Sequence, residues 1–374
     1  MTLRVAPVAA DQVIDFLTGR DDASHQQWPS WATVKSEWTN ALLGWFDDRT
    51  LVGTGLVLRR ALRPTSWWFD YLPEGPIIDW SRYDAGDIVS PLVAHLHDHG
   101  SATVKIGARL PLRRWRGETL LHAIPHGARR WRDLTPDTEY ADVMAIAARL
   151  RSLGARPYEA PRPGFGGTMQ PRYGVEVPLL GRTESDLRNE CSASFRRNVA
   201  KSERAGVQVR IGNEGDIGSL HMMLVESGER DNFVPRGRDY FQRMFRAMND
   251  EEPQRVRVYL AENEGVAHAA ALRVRVGTGS CYTYGGSSTA GRAARPSNAL
   301  QWRMLLDALA EGCATHDLRG VSDTLVEDDP LLGLTRFKLA MGGEAVEYLG
   351  EWDVPIRPLV ARAVTRHLSR RAEA

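Results

Sequence analysis

Lysine is nearly absent from this chain. Of 48 basic residues only four are lysines, Lys35, Lys105, Lys201 and Lys338, which leaves 44 arginines. A coding bias towards arginine explains that background. The four exceptions then mark candidate places where a compact ammonium does what a planar guanidinium fork does not. Cysteine is as scarce: Cys191, Cys281 and Cys313 are odd in number, far apart and without metal-ligand spacing. That excludes a disulfide framework and fits a reducing cytoplasm. No apolar run reaches the length of a bilayer span, and residues 1–7 lack the apolar stretch of a signal peptide. Net charge is only +1, so no global field draws in nucleic acid and any RNA contact must come from a local basic patch. No Walker loop, dinucleotide fingerprint or nucleophile elbow occurs. What remains is a soluble globular composition over 374 residues, long enough for two domains with separate cores.

The most distinctive stretch runs from Ser280 to Ser288. Tyr282 and Tyr284 are two apart in a β-branched and aromatic run, so a regular strand points both to one face. Gly285 and Gly286 follow, allowing a sharp turn or the close approach of a ligand. Ser297 or Asn298 caps a helix over 298–311. Two phenols, a glycine pair and a helix start make a ligand floor; a buried aromatic pair at the end of a core strand reads equally from the residues.

Taken in order, residues 13–45 read as helical, and 43–58 as a hairpin with its turn at Asp47–Arg49. A strand at 67–71, a helix at 84–99 and a strand at 102–106 follow. The second half repeats this: strands 255–261 and 266–276 around a turn, a strand at 280–284, then the helix. Val52 to Tyr71 is 19 positions and Val266 to Tyr284 is 18, a spacing that predicts duplication of one α/β unit. The Pro/Gly-rich segment 156–167 reads as the linker between two domains.

Cations gather in several places. Residues 187–204 read as one helix, with Thr183 and Asp186 at capping-box spacing and Gly206 as its stop. Arg197, Lys201 and Arg204 then form a stripe that suits an RNA backbone or a solvated face. Arg109 through Arg132 is arginine-dense with Trp115 and Trp131 interleaved, fitting RNA stacking or a mobile loop. A metal at His95, His97 and His99 is rejected: only two of them share a helix face, and no acid or cysteine completes a site. The arginine-rich tail 357–371 has helical amphipathic spacing, for packing on the first domain or for peripheral contact with the inner face of a membrane.

The Tyr282–Ser287 run resembles the Fem (FemABX) family of tRNA-dependent peptidoglycan aminoacyl and peptidyl transferases. Further matches come in the same order: Trp31–Lys35, Tyr71–Asp79, Ser194–Val207, Glu229–Phe233 with Arg236 and Tyr240, Gly333–Lys338, and Gly342–Ile356. The resemblance implies an α+β fold of two tandem acetyltransferase-like (GNAT) domains, the first over 1–165 completed by 349–374 and the second over 168–348. It implies an aminoacyl-tRNA-dependent transferase that adds an amino acid to an amine of a peptidoglycan precursor, nucleotide-linked or lipid-linked. Aminoacyl-tRNA is then a co-substrate, and no cofactor or metal is needed. The same chemistry on a natural-product peptide or small amine, and a CoA-dependent N-acyltransferase, are the alternatives. Against the latter, Arg292–Ser297 puts Arg and Pro where a pyrophosphate loop needs Gly. Carried over residue by residue, Lys35, Arg236 and Tyr240 contact the acceptor's phosphates, with Tyr282 and Tyr284 lining the same cleft. Lys338 becomes the catalytic cation near the aminoacyl ester, and Arg196, Arg197, Lys201 and Arg204 the tRNA surface. Two positions depart from the family: Gly107 stands where many relatives carry Asp, and Glu74 where a basic residue is common.

Overall fold

The computed structural model describes residues 3–158 and 169–364. Within them the chain forms two sheets with helices on their faces. The first sheet runs Arg4–Pro7, Thr39–Asp47, Thr50–Ala61, Trp68–Leu72, Ser101–Ile106, Trp352–Pro355 and Arg156–Pro157, with Ile77–Ile78 beside Thr50–Ala61. The second runs Gln208–Gly212, Val256–Asn263, Val266–Val276, Gly279–Ser287, Thr315–Gly320, Tyr173–Pro178, Glu344–Tyr348, Pro111–Arg116 and Thr138–Glu139.

Each sheet contains a run of antiparallel strands followed by one parallel pair. In the first the pair is Trp68–Leu72 with Ser101–Ile106; in the second it is Gly279–Ser287 with Thr315–Gly320. Parallel neighbours cannot be joined by a hairpin, and the crossovers carry helices Ala85–Asp98 and Pro296–Ala310. The order inferred from spacing is therefore present in both halves.

The sheets also exchange strands. Pro111–Arg116 pairs with Glu344–Tyr348 in the second sheet, although the strands before and after it in the chain include first-sheet members. Trp352–Pro355 leaves the second unit and completes the first, between Ser101–Ile106 and Arg156–Pro157.

Three local expectations differ. Residues 13–45 are not one helix: Ala10–Leu17 ends early, Pro29 starts the short helix Pro29–Val34, and a strand begins at Thr39. The hairpin ladder extends back to Thr39 opposite Arg59, and those cross-strand bonds override helical propensity. The helix at 187–204 is two, Glu184–Glu190 and Ala193–Arg204. Cys191 is extended there, and Ser192 recaps the chain by accepting from Phe195 N at 3.2 Å. Of the expected linker, residues 159–168 lie outside the described residues, while Arg156–Pro157 is a strand.

The second sheet buries both faces. On one, Val256, Val258, Leu260, Leu272 and Val274 meet helices Ile217–Asp231 and Arg238–Glu251 and the first domain's Trp28, Trp31 and Val34. On the other, Tyr259, Ala261, Ala269 and Ala271 meet Leu300 and Met304 of Pro296–Ala310. Each fully buried Val or Leu contributes about 1.5–3 kcal/mol. Residues 358–364 are helical, and Val360 and Val364 pack into the first of these cores while Leu359 is exposed.

Candidate functional site

Lys35 ends helix Pro29–Val34 as its C-cap. That helix docks on Arg238–Glu251 from the other half of the chain: Ser30 N and Oγ donate to Glu251 at 2.9 and 2.6 Å. Docking brings Lys35 Nζ to 5.2 Å from the ring centroids of both Trp31 and Tyr240. The Arg236 guanidinium lies 5.4 Å from the same Tyr240 ring, and the Tyr240 hydroxyl is 3.3 Å from that of Tyr284. Burial first, and the Arg236 charge next, lower the Lys35 pKa to about 8. Among the described residues neither cation forms a salt bridge. Two cations without a salt bridge, beside two phenols, have the chemistry to receive an anion such as phosphate.

Tyr282 is elsewhere. Leu272 pairs with Tyr284 but Arg273 pairs with Tyr282, so Thr283 is the extra residue of a bulge. A bulge breaks the two-residue alternation. Tyr284 therefore joins the core containing Tyr240 and Phe241, while Tyr282 packs on the opposite face of the sheet. The expected single face for the two tyrosines is corrected accordingly. The glycines are also spoken for within the protein. A Cβ at Gly285 would lie 2.3 Å from the Tyr282 hydroxyl, and one at Gly286 2.3 Å from Met223 O. The strand runs straight through both to Ser287.

The parallel pair near Tyr282 is short. Gly279–Ser287 and Thr315–Gly320 are matched only from Gly279–Thr315 to Cys281–Asp317, and beyond that they diverge. Lys338, on helix Leu332–Leu339, sits at this opening, its Nζ donating to Gly320 O at 2.9 Å and lying 5.8 Å from the Tyr282 ring centroid. It is 5% exposed. Burial lowers its pKa to about 8, opposed by Asp317 and assisted by Arg319.

A charged network at the domain junction adjoins this opening, and sequence reasoning missed most of it. Asp317 pairs with Arg109 at 2.9 Å, and Arg319 with Glu74 at 2.7 Å. Glu176 pairs with Arg109 at 3.0 Å and with Arg114 at 2.8 Å, and accepts from the Tyr348 hydroxyl at 2.7 Å. Burial opposes the Asp317 charge, but the Arg109 and Arg319 guanidiniums prevail and hold its carboxyl at about 2. These groups line a cleft of about 250 Å³ between the halves of the chain. The signals available were the arginine cluster beginning at Arg109 and Glu74, which stands where a basic residue is common; the partner of Glu74, Arg319, is 245 positions away. Among the described residues no group of three or more His, Cys, Asp or Glu is placed to hold a metal ion.

Known proteins share both the sequence pattern and this architecture. The profile of the FemAB family matches residues 9–262 and 248–367. This chain belongs to the FemAB family. Among its curated relatives is a UDP-N-acetylmuramoylpentapeptide-lysine N(6)-alanyltransferase of Weissella viridescens, 24% identical over 95% of this chain and 96% of the relative. A lipid II:glycine glycyltransferase of Staphylococcus epidermidis is 22% identical, covering 90% of this chain and 89% of that one. The crystal structure of FemX superposes with a TM-score of 0.79 over 97% of this chain and 100% of that one, at 16% identity. A tandem GNAT protein from the clavulanic acid biosynthesis pathway gives 0.52 over 95% and 98%, at 11% identity. The fold is thus α+β, with tandem GNAT-like domains.

The basic helix of this FemAB chain divides into two roles. Arg197, Lys201 and Arg204 are exposed on Ala193–Arg204. Arg196 instead donates to the carbonyls of Arg188 and Asn189 at 3.2 and 3.1 Å, and to that of Cys191, closing the C-terminus of the preceding helix. The helix packs through Phe195 and Val199 against Trp302 and Leu305 of Pro296–Ala310, on the face of the sheet away from Lys35. Much of the arginine cluster beyond Arg109 is ion-paired: Arg113 with Glu139 and Glu347, Arg114 with Glu344, Arg116 with Asp137, Arg130 with Asp323. Those side chains knit the second sheet together, which accounts for their density without RNA.

Proposed function

We propose that this chain transfers the aminoacyl group of an aminoacyl-tRNA to an amine of the stem peptide of a peptidoglycan precursor, at the cytoplasmic face of the membrane. The relatives' names support the reaction class. The observation that carries it is an arrangement: an anion receptor and an exposed cationic helix lie on opposite faces of one sheet, with Lys338 at the opening between two diverging strands. Lys35, Arg236, Tyr240 and Tyr284 hold the acceptor's phosphate-bearing part, and Arg197, Lys201 and Arg204 track the tRNA backbone. Tyr282 and Lys338 meet the aminoacyl ester between them.

The acceptor nitrogen attacks the ester carbonyl carbon, and the electron pair moves onto its oxygen. Collapse of that intermediate forms the amide and breaks the bond to the ribose oxygen, which takes up the proton the amine loses. The Lys338 ammonium stabilises the oxyanion. The ester is already activated, so positioning supplies most of what remains and no nucleotide is consumed. We place the division into GNAT-like units at 1–165 with 349–374, and 168–348, the first lending Pro111–Arg116 to the second.

The test uses purified protein, mixed charged tRNA and a stem-peptide precursor. Transfer should vanish on ribonuclease treatment and should not be supported by acyl-CoA. The variant R197E/K201E/R204E should bind tRNA more weakly and with a salt slope shallower by about 2, leaving acceptor affinity alone. Ribonuclease-resistant transfer, or unchanged tRNA affinity in the triple variant, removes the donor half of the proposal.

A further inference from the structure

Helix Ile217–Asp231 ends in a loop that the fold holds firmly and points outwards. Asn232 takes the left-handed conformation at φ 56°, and Phe233 N donates to Gly228 O at 2.9 Å. A Cβ at Gly228 would lie 2.3 Å from Phe233 O and 3.2 Å from Pro235 Cδ, so the loop lies directly on the helix. Pro235 fixes its own φ. The product of these constraints is an exposed apolar tip: Val234 is 96% and Phe233 45% accessible. A floppy loop could bury such side chains, but this one displays them, against the hydrophobic effect and with nothing gained inside the fold. The tip is followed by Arg236 and Arg238, both exposed and neither in a salt bridge. Of the acids nearby, Asp231 is already paired with Arg230 at 3.0 Å, while Glu229 and Asp239 are exposed beside the loop. Arg236 also forms one wall of the anion receptor, over Tyr240.

An apolar tip with arginines beside it, at the mouth of a phosphate receptor, matches the boundary of a lipid bilayer. There the aliphatic and aromatic groups enter the acyl region and the guanidiniums reach anionic headgroups. We propose that the loop 232–238 docks on an anionic membrane surface and that the acceptor held by Lys35 and Arg236 is lipid-linked. This rests on the transferase reading for the acceptor's identity, while the docking itself does not. Two apolar side chains and two charges give weak, reversible attachment, which suits an enzyme that must leave one acceptor for the next. Of the C-terminal tail, Val360 and Val364 face the protein core, and residues 365–374 lie outside the described residues.

The test compares the full-length protein with V234D/R238E, neither residue touching the receptor's phenols or Lys338. Vesicles of phosphatidylcholine, with and without phosphatidylglycerol, provide the surface. The parent should sediment with the anionic vesicles and only weakly with neutral ones, and the double variant should bind the anionic vesicles roughly tenfold more weakly. Transfer to a lipid-linked precursor in those vesicles should drop by a similar factor, while transfer to the soluble nucleotide-linked precursor and the melting temperature stay unchanged. Equal vesicle binding by parent and variant, or none by the parent, overturns the proposal. So does equal loss with both acceptors, which would make the loop part of the receptor. Vesicle binding that follows the prediction without transfer to either acceptor would instead overturn the transferase reading.

Discussion

Lys35 and Lys338 are both pulled down to about 8, in each case chiefly by burial, yet their surroundings differ in kind. Lys338 is compensated. It donates to Gly320 O, and Asp317 favours its charge. The Lys35 ammonium has no salt bridge among the described residues: after burial the largest influence on it is Arg236, another cation, with Glu37 opposing more weakly, and its close neighbours are rings. A compensated ammonium keeps a fixed position and can serve a charge that exists only briefly. Two neighbouring cations without a salt bridge are relieved when an anion arrives, which suits binding. On the function we propose, the contrast assigns catalysis and recognition to two side chains of the same type.

Replacing Lys338 should cause the largest effect. Lys338→Met should fold, bind both substrates and lose about a hundred- to a thousandfold in turnover. Lys338→Arg should recover little, since the guanidinium is wider than the buried ammonium site. Steady-state kinetics decide it: a defect confined to KM would make this cation a binding group like Lys35.

Lys35→Ala and Arg236→Ala should come next, each weakening a phosphate-bearing acceptor by roughly 1.5–3 kcal/mol and leaving a dephosphorylated one almost unaffected. Calorimetry on the two acceptors reads this directly, and equal losses would show a structural role. The same receptor predicts a pH dependence. Acceptor affinity should fall as pH rises through about 8, where Lys35 loses its proton, and Lys35→Arg should flatten that fall. Without ligand the sign reverses. Between about 8 and the ordinary 10.5 the unfolded chain binds more protons, so stability rises with pH across that window. Lys35→Met should therefore melt higher than the parent at neutral pH, with the difference shrinking above pH 8 or so.

The smallest difference separates the two tyrosines. Tyr284→Phe removes a hydroxyl that meets Tyr240 and should cost acceptor binding about 1 kcal/mol. Tyr282→Phe keeps the ring that Lys338 faces and should leave that affinity unchanged. Matching losses would mean the bulge does not divide their roles.

The sequence pattern disclosed the succession of elements along each half and the duplicated unit because both depend on local periodicity. Lys35, Arg236, Tyr240 and Tyr284 were legible through motif resemblance, and the structure brings these four together. The side of the sheet on which Tyr282 sits was not legible. Thr283 looks like any strand residue, and only pairing with Leu272 and Arg273 reveals it as the insertion. The network of Glu74, Arg109, Asp317 and Arg319 was hidden for another reason: its members come from segments that touch only after both sheets have formed. Arg196 looked like part of the cationic surface, and its use as a helix cap depends on a break at Cys191 that periodicity smoothed over.

The strand exchange has a bearing on how the protein is made. Trp352 pairs with Ile106, 246 positions earlier (352 − 106). A ribosome therefore releases the first sheet's strand Ser101–Ile106 long before its neighbour exists, and that edge stays unpaired through most of translation. The second sheet waits on the first in turn, because Pro111–Arg116 is synthesised early and finds Glu344–Tyr348 only late. Neither half can finish alone, so cutting the chain between residues 158 and 169 should yield two insoluble fragments that regain solubility only when produced together.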